Sequence, residues 1–142
     1  MSAPAPRIRR GTAADVDGVL AFWVRAGAHP SHTDTVRDVT RIVTVPHAVL
    51  FVAVDERDSI VGSVIATFDG WRGNVYRMAV DPDWRRQGLA RRLAAAAEEW
   101  LRAAGAIRLS ALVEGDSEVA PVFWEAVGFE LYEGMRRYSK SV

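Results

Sequence analysis

The sequence predicts an α/β domain with a mixed sheet, and three observations support this fold class. Three apolar stretches of strand length, residues 48–54, 60–68 and 75–80, follow one another with polar turns between them. A long helical pattern follows the third stretch and ends before Gly105, in the position where a glycine commonly terminates a helix. The next apolar stretch, residues 107–113, is reached by a right-handed crossover and is therefore expected to run parallel to the third.

The first third of the chain predicts one short strand and two helices. Ile8 lies among arginines in the short strand. Residues 12–15 have the pattern of a capping box with Asp in place of Glu, and the amphipathic helix that follows is expected to end near Gly27. A second helix is expected to begin within residues 31–34, with Asp34 as its cap.

The last part of the chain predicts a short helix and a final hairpin. The helix covers residues 119–127, and residues 129–132 and 135–138 suit two strands around a Glu-Gly turn. The complete expectation is a mixed sheet of six to seven strands flanked by about four helices. One domain is expected over residues 7–142, after a disordered tail of residues 1–6.

Composition narrows the classes of function. A chain of 142 residues suits one domain with a substantial core. Its formal net charge is zero, which gives no electrostatic argument for a nucleic-acid or membrane partner. The sequence has no cysteine, which excludes disulfides, thiolate metal sites and cysteine nucleophiles. It also lacks a signal-peptide pattern and an apolar run of about 20 residues, so a cytoplasmic location is expected.

The turn between the 75–80 strand and the long helix is a candidate anion site. The first N–H groups of a helix have no intrahelical acceptor, and the helix dipole places partial positive charge there. Gly88 and Ala90 allow a ligand to approach the backbone closely, and four arginines surround them. A pyrophosphate suits these features. The alternative, about as well supported by these residues alone, is an arginine-rich helix start exposed to solvent.

Known phosphate-binding motifs separate these alternatives. The sequence contains neither the P-loop pattern nor G-x-G-x-x-G, but Arg85, Gly88 and Ala90 match R/Q-x-x-G-x-G/A after the segment Met-Ala-Val-Asp-Pro. This combination resembles the acetyl-coenzyme A signature of the GNAT superfamily of N-acetyltransferases, and the order of elements is similar over nearly the whole chain. The resemblance implies the GNAT fold and acetyl-CoA as co-substrate, without a metal. The residues it assigns to the co-substrate are Met78, Ala79, Val80, Arg85, Arg86, Gln87, Gly88, Leu89, Ala90, Arg91, Ser117 and Trp124.

A second segment, residues 120–129, resembles the family pattern A-x-x-x-Y-x-x-x-G-F but differs at its aromatic position. Trp124 stands where the family has a tyrosine, and Ser117 stands where it has an asparagine. In the family, that tyrosine commonly protonates the departing thiolate, which an indole cannot do. Trp124 is therefore interpreted either as a core residue or, as we favour, as a wall of the pantetheine channel. Water could protonate the thiolate, because its pKa is about 8 to 9.

The catalytic assignments follow from what acetyl transfer requires. The reaction needs a deprotonated amine, stabilisation of a tetrahedral oxyanion and protonation of a thiolate. The resemblance assigns the oxyanion contact to the backbone of Met78. Glu114 is a candidate base, with a solvated loop carboxylate as the alternative. Tyr76 and Arg77 are expected on opposite faces of their strand, so that one of them faces the acceptor.

The acceptor is expected near the loop between the first two helices. His29, His32 and Asp34 lie there, and the resemblance places acceptor specificity in this loop. With Tyr76, they are the candidate substrate-binding residues. Surface histidines and a helix-capping aspartate are the alternatives, and the histidine spacing is weak evidence for a metal site.

The sequence is compatible with two functions. The first is an acetyl-CoA-dependent N-acetyltransferase that acts on a primary amine, either a small molecule or a protein N-terminus. The second is a GNAT-fold domain that binds acyl-CoA but catalyses poorly, as a sensor or interaction module. Neither function implies a nucleic-acid or membrane partner, and a homodimer is left open.

Overall fold

A computed structural model of the chain describes residues 3–113 and 119–142, without the side chain of Val119. The chain forms two compact units, Met1–Leu112 and Val113–Val142. Within the described residues, every helix is too short or too polar to cross a membrane.

The described part of the first unit contains a five-stranded sheet and three α-helices. Its elements are β1 (Arg7–Arg10), α1 (Val16–Arg25), α2 (Val36–Thr44), β2 (Ala48–Val54), β3 (Ile60–Phe68), β4 (Gly73–Val80), α3 (Leu89–Ala104) and β5 (Leu109–Ala111). The strands lie in the order β1-β2-β3-β4-β5, with antiparallel pairs up to β4 and a parallel pair between β4 and β5. The predicted mixed sheet, its antiparallel meander and its parallel crossover are confirmed.

The predicted number of strands was wrong. Residues 129–142 belong to the described part of the second unit and contain no strand, although residues 133 and 134 do form a turn. A short hairpin is stable only when one of its faces is buried. Here the apolar side chains of Leu131, Tyr132, Met135 and Tyr138 are 64 to 89% exposed. The sheet therefore has five strands rather than six to seven, whereas the expected four α-helices are present, the fourth being α4 (Val119–Ala126).

Strand β5 is also shorter than the apolar stretch that predicted it. Only Leu109–Ala111 pair with β4, whereas the prediction covered residues 107–113. Ile107 is 97% exposed. A residue without a ladder partner gains little from an extended conformation. The apolar character of residues 107–113 therefore did not determine where the strand begins and ends.

The sheet is covered on both faces. Adjacent residues of a strand point to opposite faces. Ser63 of β3 contacts Trp23 of α1, whereas a Cβ added to Gly62 would lie 3.0 Å from Leu93 of α3. Helices α1 and α2 pack on the Ser63 face around a core that includes Phe22.

The start of α1 is fixed to the edge strand β1 by an ion pair. The Asp15 carboxylate accepts the Thr12 backbone N–H at 2.8 Å, as the capping-box pattern predicts. It also accepts two hydrogen bonds from the Arg9 guanidinium, at 2.8 and 2.9 Å. The hydrogen bond from Arg9 is the main reason why the pKa of Asp15 falls from 3.8 to about 2.

We expect Asp15→Asn to destabilise the protein by about 1 to 2 kcal/mol at neutral pH, allowing for solvent around the half-exposed Arg9. The folded pKa lies below the unfolded one, so this stabilisation is complete above about pH 4 and disappears as the pH falls through about 2. Urea unfolding across this range measures it. The variant should lose less stability on acidification than the wild type. Asp17→Asn, at an exposed position on the same helix, is the control.

Candidate active site

Strand β4 contains a bulge opposite the middle of β3. The register pairs Ser63 with Ala79 and then Ile65 with Tyr76, so one β3 residue lies opposite two β4 residues. The extra length falls at Arg77 and Met78. Arg77 has a φ of 54°, in the left-handed region that residues other than glycine seldom occupy. An extra residue of this kind bends a strand and re-aims its side chains.

The bulge places two consecutive side chains on the same face of the sheet. Tyr76 packs against the core formed by α1 and α2. The Arg77 guanidinium also lies on that side, 4.9 Å from the centre of the Trp23 ring. The expectation that Tyr76 and Arg77 face opposite sides was therefore wrong. Simple alternation holds for a regular strand, and the left-handed residue interrupts it.

A buried serine links α1, β3 and the bulge. The Trp23 indole N–H donates a hydrogen bond to the Ser63 hydroxyl at 2.9 Å. The same hydroxyl donates to the Arg77 carbonyl at 2.9 Å. Ser63 is 0% exposed. All three polar groups are thereby satisfied inside an apolar layer, where an unpaired polar group would be costly.

The Arg77 side chain joins the bulge to the loop between α1 and α2. Its guanidinium donates to both carboxylate oxygens of Asp34, at 2.5 and 2.6 Å, and to the His29 carbonyl at 2.6 Å. Asp34 does not cap α2, contrary to our expectation. Thr35 is the cap, and its hydroxyl accepts the Asp38 N–H. Asp34 accepts the Ser31 N–H instead, so its carboxylate holds the loop together.

Beyond the bulge, the edge of β4 that faces β5 is open among the described residues. The parallel ladder covers only Gly73 to Val75, and the Leu112 N–H donates to the Val75 carbonyl at its end. The half-buried Met78 lies past this point and has no ladder partner on this edge among the described residues. An open edge of this kind presents backbone donors and acceptors to an extended ligand.

The start of α3 has the features of an anion site. Gly88 is the N-cap residue, has a φ of 78° and provides no side-chain cap. A Cβ added there would meet nothing within 4 Å. The first turn of α3 contains no acidic residue, so its N–H groups and its dipole are available to an anion.

The arginines around this turn fall into two groups. Arg85 folds back onto the Val80 and Ala26 carbonyls, and Gln87 onto the Asp83 carbonyl. Arg86 and Arg91 are exposed and have no hydrogen-bond or ion-pair partner within residues 3–113 and 119–142. These two guanidinium groups can pair with a phosphate without first breaking another contact.

A groove of about 560 Å³ lies on another part of the first unit. Its lining includes one arginine, Arg25, and several carboxylates, which would repel a pyrophosphate. These carboxylates are Asp15, Asp55, Asp58, Asp81 and Asp83. Arg25 forms an ion pair with Asp81 at 3.5 Å and donates to the Ile60 carbonyl, which fixes the end of α1 near the end of β4.

A smaller pocket of about 250 Å³ lies beside the α1–α2 loop. It is lined by Leu20, Trp23, Val24, Ala28, Pro30 and Asp34. The pocket is thus mainly apolar, with one carboxylate and one indole at its wall. His29 and His32 are exposed residues of the adjoining loop.

Trp124 is the centre of an aromatic cluster in the second unit. Its ring makes edge contacts with Phe123 and Phe129, both at 5.0 Å between ring centres. Trp124 is 7% exposed, as a packing residue would be. Glu114 and Ser117, the other candidates from this part of the sequence, lie outside the described residues.

The sequence did not indicate the roles of Ser63 and Trp23. One signal was available for Ser63, because it is a polar residue inside an apolar stretch of strand length. No local pattern could show that its partners are Trp23, 40 positions earlier, and Arg77, 14 positions later.

Comparisons with known proteins identify the family. The Acetyltransferase (GNAT) family matches residues 17–129. An acetyltransferase of Sodalis glossinidius (strain morsitans) is 27% identical over 121 residues, which cover 85% of this chain and 84% of the relative. The chain therefore belongs to the GNAT family of acetyltransferases.

Solved structures are similar over the whole fold. The aminoglycoside N-acetyltransferase AAC(6')-Iy in complex with CoA gives a TM-score of 0.80 at 19% identity, covering 100% of this chain and 98% of that one. The same enzyme with the bisubstrate analogue CoA-S-monomethyl-acetylneamine gives a TM-score of 0.77 at 20% identity, covering 98% and 100%. At these identities, the likeness concerns the fold.

These findings confirm the predicted class, a GNAT-family acetyltransferase. The parts of the chain that the structure describes hold no group of three or more His, Asp or Glu side chains suited to a metal ion. The roles given to individual residues stay predictions.

We expect Gly88→Glu to weaken acetyl-CoA binding at least about tenfold, because the new carboxylate would lie where a pyrophosphate meets the helix start. Calorimetry or thermal shift measures this effect. Acetyl-CoA at about 100 times its Kd should stabilise the wild type by about 2.7 kcal/mol. Gly70→Glu is the matched control, because Gly70 also has a positive φ and open space around it but lies in the β3–β4 turn. Equal affinity in the two variants would place the site elsewhere.

Proposed function

We propose that this protein transfers the acetyl group of acetyl-CoA to the primary amine of a small molecule or a protein N-terminus. The amine attacks the thioester carbonyl directly, through a tetrahedral intermediate. One observation carries the proposal: the bulge at Arg77 and Met78 adjoins the length of β4 that β5 leaves unpaired. A thioester carbonyl at this edge can meet a backbone N–H, and the pantetheine arm can run beside Val80.

The pyrophosphate end of the same ligand fits the start of α3. The uncapped N–H groups after Gly88 and the guanidinium groups of Arg86 and Arg91, which have no partner among the described residues, supply complementary charge. Arg85, Gln87, Leu89 and Ala90 complete the expected site. The order of the elements along the chain matches the order of the groups along acetyl-CoA. Strand β4, beside the thioester and the pantetheine arm, leads directly into the turn beside the pyrophosphate, and this turn leads into α3.

Oxyanion stabilisation, deprotonation of the amine and protonation of the thiolate require few catalytic side chains. The Met78 N–H is the donor to the developing oxyanion. A donor that the fold already holds in position contributes a large part of the rate acceleration in acyl transfer. Tyr76 lies on the α1 and α2 side of β4 and is one candidate to orient the amine or accept its proton. Glu114 is the other candidate. Protonation of the thiolate is left to water, because its pKa is about 8 to 9.

The acceptor pocket is the one beside the α1–α2 loop. Its volume of about 250 Å³ is below the roughly 300 to 1,000 Å³ of pockets for drug-sized ligands. Its apolar lining suits a small amine with a hydrocarbon body, or the first side chain of a peptide. The Asp34 carboxylate already bonds Arg77, but two carboxylate oxygens have about four acceptor sites and can take a further ammonium donor.

A panel of amines tests the proposal. Acetyl-CoA is mixed with aliphatic and arylalkyl primary amines, aminoglycosides and short peptides, and release of the CoA thiol is followed. We expect small apolar primary amines to react best. We also expect kcat/KM to rise with pH, because only the neutral amine attacks. Binding of acetyl-CoA with no turnover across the panel would favour the alternative function, an acyl-CoA-binding module.

The double variant His29→Ala/His32→Ala locates the acceptor in the same assay. These residues flank the pocket, so the order of preferred amines should change while the Kd for acetyl-CoA changes less than about twofold. His47→Ala is the control, because His47 is also exposed but precedes β2 and does not line the pocket. An unchanged order of amines in the double variant would place the acceptor elsewhere.

Trp124 variants test whether the indole takes part in the chemistry. Trp124→Phe should keep most of the turnover, because a ring remains between Phe123 and Phe129. Trp124→Ala should cost about 3 to 5 kcal/mol of stability and weaken CoA binding. Steady-state kinetics and thermal unfolding separate the two effects. A collapse of kcat in Trp124→Phe with unchanged acetyl-CoA affinity would assign a catalytic part to the indole N–H.

A further inference from the structure

We propose that Ser63, Trp23, Arg77 and Asp34 are positioning residues, which orient the Met78 N–H and couple it to the acceptor loop, residues 28–35. This inference rests on the proposed function, since it concerns how the carbonyl-binding donor is aimed. None of the four needs to touch the thioester.

The first half of the network acts on one peptide unit, the one between Arg77 and Met78. The Arg77 carbonyl and the Met78 N–H belong to the same planar trans peptide, so they point in opposite directions. The Ser63 hydroxyl holds the Arg77 carbonyl on the β3 side of β4. The Met78 N–H must then point away from β3, toward the edge that β5 leaves open. Ser63 thus sets the direction of a donor that it does not contact.

The hydroxyl is itself oriented by α1. It has one proton, and the Trp23 N–H occupies its acceptor side at 2.9 Å. The proton is therefore left for the Arg77 carbonyl. Ser63 and Trp23 are both buried, so water has little access to the hydroxyl and the indole that form these hydrogen bonds.

The second half of the network is the Arg77 side chain. A left-handed φ is unfavourable for arginine, and it persists where surrounding contacts hold it. Arg86 has a similar φ of 63° but is exposed. Arg77 is instead held by Asp34, by the His29 carbonyl and by the Trp23 ring. The Arg77 side chain therefore connects the bulge, where its backbone lies, to the acceptor loop, which its guanidinium contacts.

A ligand comparison tests the first half without needing turnover. The Kd values of acetyl-CoA and CoA are measured for the wild type and for Ser63→Ala. The ratio of the two affinities reports the contact with the thioester carbonyl. We expect Ser63→Ala to reduce the preference for acetyl-CoA by about three- to tenfold, as loss of one hydrogen bond would, with CoA affinity unchanged. Ser59→Ala, at an exposed serine of the β2–β3 turn, is the control and should keep the wild-type ratio.

Kinetics test the second half. Arg77→Gly allows the left-handed backbone but removes the guanidinium, so it should raise the acceptor KM while retaining most of the acetyl-CoA preference. Ser63→Ala should lower kcat with little change in acceptor KM. If Arg77→Gly leaves the acceptor KM unchanged, the proposed link between the bulge and the acceptor loop is wrong. If Ser63→Ala or Arg77→Gly fails to fold, Ser63→Cys and Arg77→Lys replace them and should give smaller changes of the same kind.

The outcomes distinguish this inference from the proposed function. A wild type that binds acetyl-CoA and acetylates no amine contradicts the function, and the affinity ratio still decides the role of Ser63. A wild type that acetylates amines, with a ratio unchanged in Ser63→Ala or its Cys replacement, contradicts the positioning role alone. A wild type that binds neither ligand overturns both.

Discussion

The hydroxyl of Ser63 is the contact on which the architecture of the site depends. It lies in an apolar layer and is satisfied on one side by the Trp23 indole and on the other by the Arg77 carbonyl, each at 2.9 Å. Without a donor, the carbonyl of a bulged residue would be an unpaired polar group in the core. With the donor, β4 can keep a left-handed residue in the middle of a sheet. The strand then bends beyond the point where the ladder with β5 ends, and among the described residues the β4 edge past Val75 has no partner strand.

In the same first unit, the β4 edge beyond Val75 leads to a group of arginines around the start of α3. The formal net charge is zero, but arginines surround the start of α3, whereas aspartates line the groove of about 560 Å³. A zero balance therefore gives no general argument for polyanion binding, but it does not exclude a local anion site. The distinction is physical, because the potential near a ligand depends on the charges within about one Debye length, roughly 10 Å, rather than on the sum over the chain.

The sequence determined those features that depend on neighbours in the chain. Strands β2 and β3 have the bounds that their apolar stretches predict, because polar turns close each stretch. Helix α3 ends where Gly105 allows a left-handed cap, and Asp15 bonds the Thr12 N–H as its spacing predicts. The six-residue turn motif and the order of elements also sufficed to identify the family, because a turn that leads into a helix is a local structure.

Only the tertiary structure decided the features that depend on residues far apart in the sequence. Asp34 pairs with Arg77, 43 positions away, and this pairing rather than helix capping accounts for its carboxylate. Period-two alternation carries no information on register, so it could not place the extra residue of the bulge or show that Tyr76 and Arg77 share a face. The apolar residues after Phe129 had the pattern of a hairpin but form no strand. A pattern shows which residues could be buried, and the partners available in the folded chain decide which of them are.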